Sequence, residues 1–183
     1  MERTAKIVRN QVSTMNLVLG ALFMALGIVM PFLTGQIPEI GSMLLPMHLP
    51  VLICGFVCGW KYGVAVGFVV PLLRGVLFGM PPLMPTGVCM AFELAVYGAC
   101  TGFLYEKLPK RPISVYVSLF GAMVAGRVVW GLVSMAVYGV MGNAFSMQMF
   151  LAGGLLNAIP GIILQIVAIP AVILALKRAK VME

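Results

Sequence analysis

The sequence predicts an all-α integral membrane protein, a six-transmembrane-helix bundle with its N- and C-termini cytoplasmic. Composition, run length and charge placement predict it. Of 183 residues, 62% are hydrophobic and only 9% charged, and the mean hydropathy is +1.09, which is more apolar surface than a soluble fold of this size hides. At roughly 20 residues per span, the chain has room for about six spans joined by short connections. The basic residues Arg3, Lys6, Arg9, Lys61, Lys107, Lys110, Arg111, Lys177, Arg178 and Lys180 fall in segments on one side of such a bundle. The connections on the other side hold none, as the positive-inside rule requires. The net charge of +7 therefore reflects topology rather than nucleic-acid binding, and residues 1–183 read as one multi-pass domain whose surroundings are the lipid bilayer.

The first span is expected over 13–33, with Asn10, Ser13 or Thr14 capping its start and Gly35 and Pro38 marking its end. The basic N-terminus precedes a span too long, and lacking the small-residue cleavage site, for a removed signal peptide. Residues 35–46 read as a loop long enough to act as a lid. The second span, 47–59, is short and interrupted by Pro46 and Pro50, a disruption tolerated in membranes only where protein or a cavity surrounds the backbone. After a tight turn at Trp60, Lys61, Tyr62 and Gly63, the third span covers 62–79 and the cluster Pro81, Pro82 and Pro85 forces a second outer loop. The fourth span, 86–108, leads into the basic connector Lys107–Pro112, and the fifth covers 113–140. Gly142, Asn143 and Ser146 form the third outer loop. The sixth span, 149–176, carries Pro160 and Pro170 as expected kinks.

Several chemistries lack the residues they need. Aspartate is absent and His48 is the one histidine, which removes Asp-rich metal or phosphate motifs and any zinc site. The cysteines Cys54, Cys58, Cys89 and Cys100 lie in apolar runs without a CxxC pair and read as small core residues. There is no G-x-S-x-G and no histidine within reach of a nucleophile, nor a phosphate loop with which to hydrolyse ATP. The chain is therefore expected to be no enzyme and to carry no cofactor or metal.

Ionisable side chains inside a span are costly and mark functional sites by default. Here they are Arg74, Glu93 and Arg127. At about 1.5 Å per residue, Glu93 lies roughly 10 Å below the outer end of its helix and Arg127 roughly 20 Å below its own. Helical spacing groups partners around them. Thr86, Glu93 and Tyr97 share one face of the fourth span, and Arg127, Gly131, Ser134 and Tyr138 form a stripe on the fifth, with the glycine leaving a gap. Asn157 and Gln165 lie on the sixth span among Gly153, Gly154 and Gly161. These groups either fasten helices together, with Glu93 paired to Arg127 or Arg74, or line a pocket open to the outer side with His48 at its rim. Two arginines against one glutamate favour a substrate bearing a carboxylate or another anionic group. Tyr97, Tyr138 and Trp130 could stack on a flat ring.

The first span also carries Leu-Gly-Ala21-Leu-Phe-Met-Ala25-Leu-Gly, with small residues at i and i+4 that let another helix approach closely. Together with six short spans, a long first outer loop and the segment Pro46-Met-His48-Leu-Pro50 through Gly59-Trp-Lys61-Tyr-Gly63, the chain resembles the S components of energy-coupling factor (ECF) transporters, in their vitamin-uptake group. The resemblance covers nearly the whole chain. It implies a substrate-binding subunit in a prokaryotic plasma membrane that holds a small water-soluble vitamin or precursor near the outer surface. It also implies that Ala21 and Ala25 dock on a membrane-embedded coupling subunit driven by two cytoplasmic ATPases. The other classes compatible with the residues are a scaffolding membrane subunit without a ligand and a self-sufficient secondary transporter.

Overall fold

The computed structural model describes residues 2–34 and 37–179. Gly35 and Lys180, expected at a helix end and in the basic C-terminal run, lie outside them. Among the described residues there is no strand, and six helical stretches are long and apolar enough to cross a bilayer: Thr14–Thr34, Glu39–Cys58, Trp60–Phe78, Leu83–Lys107, Pro112–Val140 and Ile159–Arg178.

Helix α1 spans Glu2–Val29 and tightens into a 3₁₀ turn over Met30–Thr34, where Thr34 Oγ1 donates to the Pro31 carbonyl at 2.8 Å. Its start corrects the expected cap at Asn10, Ser13 or Thr14. No glycine or proline occurs before Gly20, so nothing in the polar run interrupts the backbone and the helix extends through it. The expected loop over 35–46 is corrected as well, since Pro38–Leu44 forms a short helix, α2. Pro38 occupies its first turn, where a missing N–H costs nothing, and Glu39 favours the positive helix start. The helix ends at Leu45, whose φ of 51° is left-handed and whose N–H bonds the Gly41 carbonyl. Pro46 then prevents continuation, and α3 (His48–Cys58) starts anew with the His48 N–H on the Leu45 carbonyl at 3.0 Å. Pro50 does not break this helix, because it lies in the first turn.

The turn expected at Trp60–Gly63 is helical. The chain turns instead at Gly59, whose φ of 86° suits glycine, and α4 runs over Trp60–Phe78. A π-turn at Leu83–Gly87 leads into α5 (Val88–Lys107), and α6 covers Pro112–Val140. The expected continuous sixth span is interrupted. Helix α7 (Met147–Leu151), capped by Ser146 Oγ accepting from the Met149 N–H, passes through a π-turn (Ala152–Leu156) into a break before α8 (Ile159–Arg178). Pro160 starts α8 rather than kinking it, and Pro170 lies within it.

Helix α5 is the hub, packed on by α3, α4 and α6. The approach of α4 to α5 depends on glycine: a Cβ at Gly98 would stand 2.2 Å from the Gly63 carbonyl oxygen, inside any real contact. Between the helices, Val51, Leu52, Cys54, Leu94, Leu119 and Ile173 are fully buried. The three deeper cysteines belong to this core, Cys100 is half-buried, and all four thiols are free. Helix α1 packs on α3 and α4 through one side, where Phe23 is buried and Gly27 abuts Val70, and leaves its other side open. At one end of the bundle, the basic end, Lys177 Nζ reaches the Lys110 carbonyl. The irregular segments gather at the other end.

Candidate functional site

Opposite the basic end, the 3₁₀ turn after α1, helix α2, the corner before α3 and the proline-rich segment before α5 enclose a cavity of about 500 Å³. Its walls are mostly apolar, supplied by prolines, Met47, Met80, Met90 and Trp130. Few polar side chains face it, and His48, Arg74, Glu93 and Arg127 are the ones set deep, each at least nine-tenths buried. An apolar enclosure with a few converging polar groups is the general form of a small-molecule site.

The floor is built from three helices. Glu93 lies in the second turn of α5 and is 1% exposed, and Arg127 Nη1 from α6 forms an ion pair with it, 2.8 Å from its Oε1. Of the two pairings open to Glu93, the structure makes the one with Arg127. His48 Nε2, at the first residue of α3, lies 3.7 Å from the same oxygen. One turn along α5 from Glu93, the Tyr97 ring meets the His48 ring edge-on, with centroids 5.3 Å apart. It also fills the space left by Gly126, where a Cβ would come within 2.2 Å of it. The residue before Arg127 thus admits the ring on which the histidine rests.

Burying the Glu93–Arg127 pair is tolerable because the charges cancel at hydrogen-bond distance. Several polar atoms of this floor are not satisfied. Arg127 Nε and Nη2 and both His48 nitrogens make no hydrogen bond among the described residues. Buried groups of this kind are expensive to leave unpaired, and here they are concentrated on the floor of a cavity.

Arg74 reaches the same cavity by a different arrangement. Its Nη1 donates to the Ile28 carbonyl at 2.5 Å, in the last turn of α1, and its guanidinium lies 4.9 Å from the Phe32 ring and 5.4 Å from the Phe78 ring. It ties α1 to α4 and has no carboxylate partner among the described residues.

Of the sequence-predicted residues, His48, Arg74, Glu93 and Arg127 meet at the cavity, and Tyr97 packs directly behind it. Ser134 is buried but does not line it. Tyr138 rests on Phe145 with ring centroids 5.5 Å apart, and Asn157 is exposed at the break before α8, its N–H bonding the Ala152 carbonyl. The gap expected at Gly131 is filled by the Phe150 ring. Phe150 and Phe145 flank Trp130, so an aromatic cluster takes up the upper part of the α6 stripe. Ala21 and Ala25 are exposed on α1. Sequence reasoning missed the wall contributed by α2, including Glu39 and Ser42. Pro38 and Glu39 followed by Ile40, Met43 and Leu44 at helical spacing is the signal that reveals it.

Set against known protein families, residues 15–173 match the family described as ECF transporter, substrate-specific component. No curated protein and no solved structure matches the chain.

Proposed function

We propose that this chain, which belongs to the family of ECF transporter substrate-specific components, captures a small anionic vitamin or vitamin precursor in the cavity floored by His48, Glu93 and Arg127. One observation carries this reading. Four hydrogen-bonding nitrogens, two on Arg127 and two on His48, have no partner among the described residues where the cavity closes, so a ligand supplies what the fold leaves out. The deep charges are Arg74, Arg127 and Glu93; with His48 neutral their sum is one positive charge, which a monoanion balances. A carboxylate on the free edge of Arg127 gains two parallel charge-assisted hydrogen bonds, and Trp130 offers a face for the remainder of the ligand. Pantothenate has this charge and fits a cavity of about 500 Å³.

In the same reading the basic end faces the cytoplasm together with both termini, so that the cavity opens outward and α2 covers it. The protein binds rather than converts its ligand. Transport energy comes from two cytoplasmic ATPases through a membrane-embedded coupling subunit, which docks on Ala21 and Ala25 of the open side of α1. The setting is a prokaryotic plasma membrane.

A binding assay on the purified protein with a vitamin panel tests this, using charge-matched pairs such as pantothenate and pantothenol, or nicotinate and nicotinamide. Retention of the acids and not of their neutral counterparts is the expected result. Tight binding of cationic thiamine alone would overturn the anionic assignment, and failure to retain any small molecule, together with none copurifying by mass spectrometry, would leave a scaffold subunit. Transport by the chain alone in vesicles would make it a secondary transporter.

A further inference from the structure

We infer, resting on the capture of an acid in this cavity, that the ligand also carries an O–H or N–H donor close to its carboxylate, and that Glu93 Oε1 selects for that donor. Guanidinium nitrogens only donate, a carboxylate only accepts, and a neutral imidazole offers one of each. Arg127 Nε and Nη2 therefore require acceptors, which a ligand carboxylate supplies. Glu93 Oε1 requires the opposite. It lies 2.8 Å from Arg127 Nη1, so its charge is matched, yet it accepts no hydrogen bond among the described residues, and its residue is 1% exposed. His48 does not serve it, because Nε2 is 3.7 Å away, too far for a hydrogen bond. The side chains of Met47 and Met90, next to these residues in the cavity wall, have no hydrogen to donate.

The 3.7 Å between His48 Nε2 and Glu93 Oε1 leaves room for one inserted group about 3 Å from each. If Nε2 carries the ring proton, a ligand hydroxyl accepts from it and donates to Glu93. If Nε2 is bare, a ligand N–H or hydroxyl lies against both. In either tautomer the inserted group donates to Oε1. A ligand carboxylate oxygen in that place would set acceptor against acceptor beside a buried anion, where repulsion is stronger than in water. Oε1 and the free edge of the guanidinium belong to the same ion pair, so the donor and the carboxylate have to be near neighbours along the ligand. The ligand class is an acid with a hydroxyl or amide N–H a few bonds from its carboxylate, as in hydroxy acids and N-acyl amino acids. Acids on a plain hydrocarbon chain, or with heteroatoms that only accept, do not meet the requirement.

Calorimetric titration of the purified full chain with three ligands of one outline tests the donor separately from the acid. These are pantothenate, its ester analogue in which oxygen replaces the amide N–H, and pantothenol, which lacks the charge. Pantothenate is expected to bind about 10- to 100-fold more tightly than the ester, the effect of leaving one buried acceptor unpaired. Equal affinity for pantothenate and the ester would overturn the donor requirement, with Glu93 served by solvent instead, while weaker binding of pantothenol in the same series would leave the acid assignment standing. Retention of none of the three would overturn both. Glu93→Gln, whose amide can donate where the carboxylate only accepts, should bring the ratio of pantothenate to ester down to about threefold or less. An unchanged ratio in that variant would overturn the role of Glu93, and if the variant does not fold, the ratio measured on the native protein decides.

Discussion

Arg127 separates two roles that a buried ion pair can have. Its Nη1 neutralises Glu93 at 2.8 Å, while Nε and Nη2 have no partner among the described residues, so half of the guanidinium serves the fold and half is available. Arg127→Met removes both halves. It leaves a buried carboxylate uncompensated, a change that costs about 3–5 kcal/mol when one partner of such a pair is deleted. Arg127→Met/Glu93→Gln removes the stranded charge and should recover most of that stability, measured as the midpoint of thermal unfolding in detergent. Ligand binding distinguishes the roles. If the free edge holds a carboxylate, the double variant should remain stable and still bind the acid at least about 100-fold more weakly, in line with the loss of roughly 3 kcal/mol of charge-assisted hydrogen bonding. Full binding by the stable double variant would make the pair a fastener only. The charges themselves were legible in the sequence, since an ionisable side chain within a span is conspicuous. The partition between Arg127 and Arg74 was not, because it depends on which neighbour the folded chain offers: Glu93 for one, and the Ile28 carbonyl with two phenylalanine rings for the other.

The helices divide into those that build the site and one, α1, whose outer side stays open. Helix α1 is the least enclosed of the spans, with 17% of its apolar window buried against 56% for the span containing α3. Its inward side uses Gly20 and Gly27 to approach α4, and the opposite side presents Ala21 and Ala25. Small residues on an exposed helix face give another helix close backbone contact without side chains to displace. Ala21→Trp and Ala25→Trp should therefore leave ligand binding and folding intact, because neither position packs within the chain, while uptake in cells that supply the coupling subunit and ATPases should fall to background. Undiminished uptake by both variants would remove α1 as the docking helix. Length and hydropathy reveal six spans readily, but the irregular backbone is harder to read. Pro46 ends a helix and Pro50 does not. The residues differ only in position relative to His48, and one begins where the other has already been absorbed into a first turn. Likewise Gly59 alone makes the turn that the sequence spread over four following residues, because a single left-handed glycine suffices. The break at Asn157–Ala158 lies directly before Pro160, whose missing N–H and ring stop the incoming helix and suit the first turn of a new one, so the residue expected to kink a continuous span instead separates α7 from α8.

On the scale of the whole molecule, the protein is polarised along its long axis. Lysines and arginines close one end around Tyr105, and the cavity with its irregular walls opens at the other. This polarity ties orientation to function, since a capture site must face the compartment that contains the ligand and a docking subunit driven by ATP must meet cytoplasmic ATPases. The excess of basic residues at one end favours a cytoplasmic position for that end. The arrangement is testable independently of any ligand. In a variant lacking the native cysteines, Asn143→Cys lies in the connection after α6 and Arg111→Cys in the basic connector before it, at opposite ends of the same 29-residue helix. At about 1.5 Å per residue these positions are separated by more than the roughly 30 Å of a bilayer core. A membrane-impermeant maleimide applied to intact cells should label the cysteine at 143 and spare the one at 111 until the membrane is opened. The reverse pattern would turn the cavity toward the cytoplasm. A protein so oriented could not capture its ligand from outside, and the importer reading would fail even if the cavity bound a vitamin tightly.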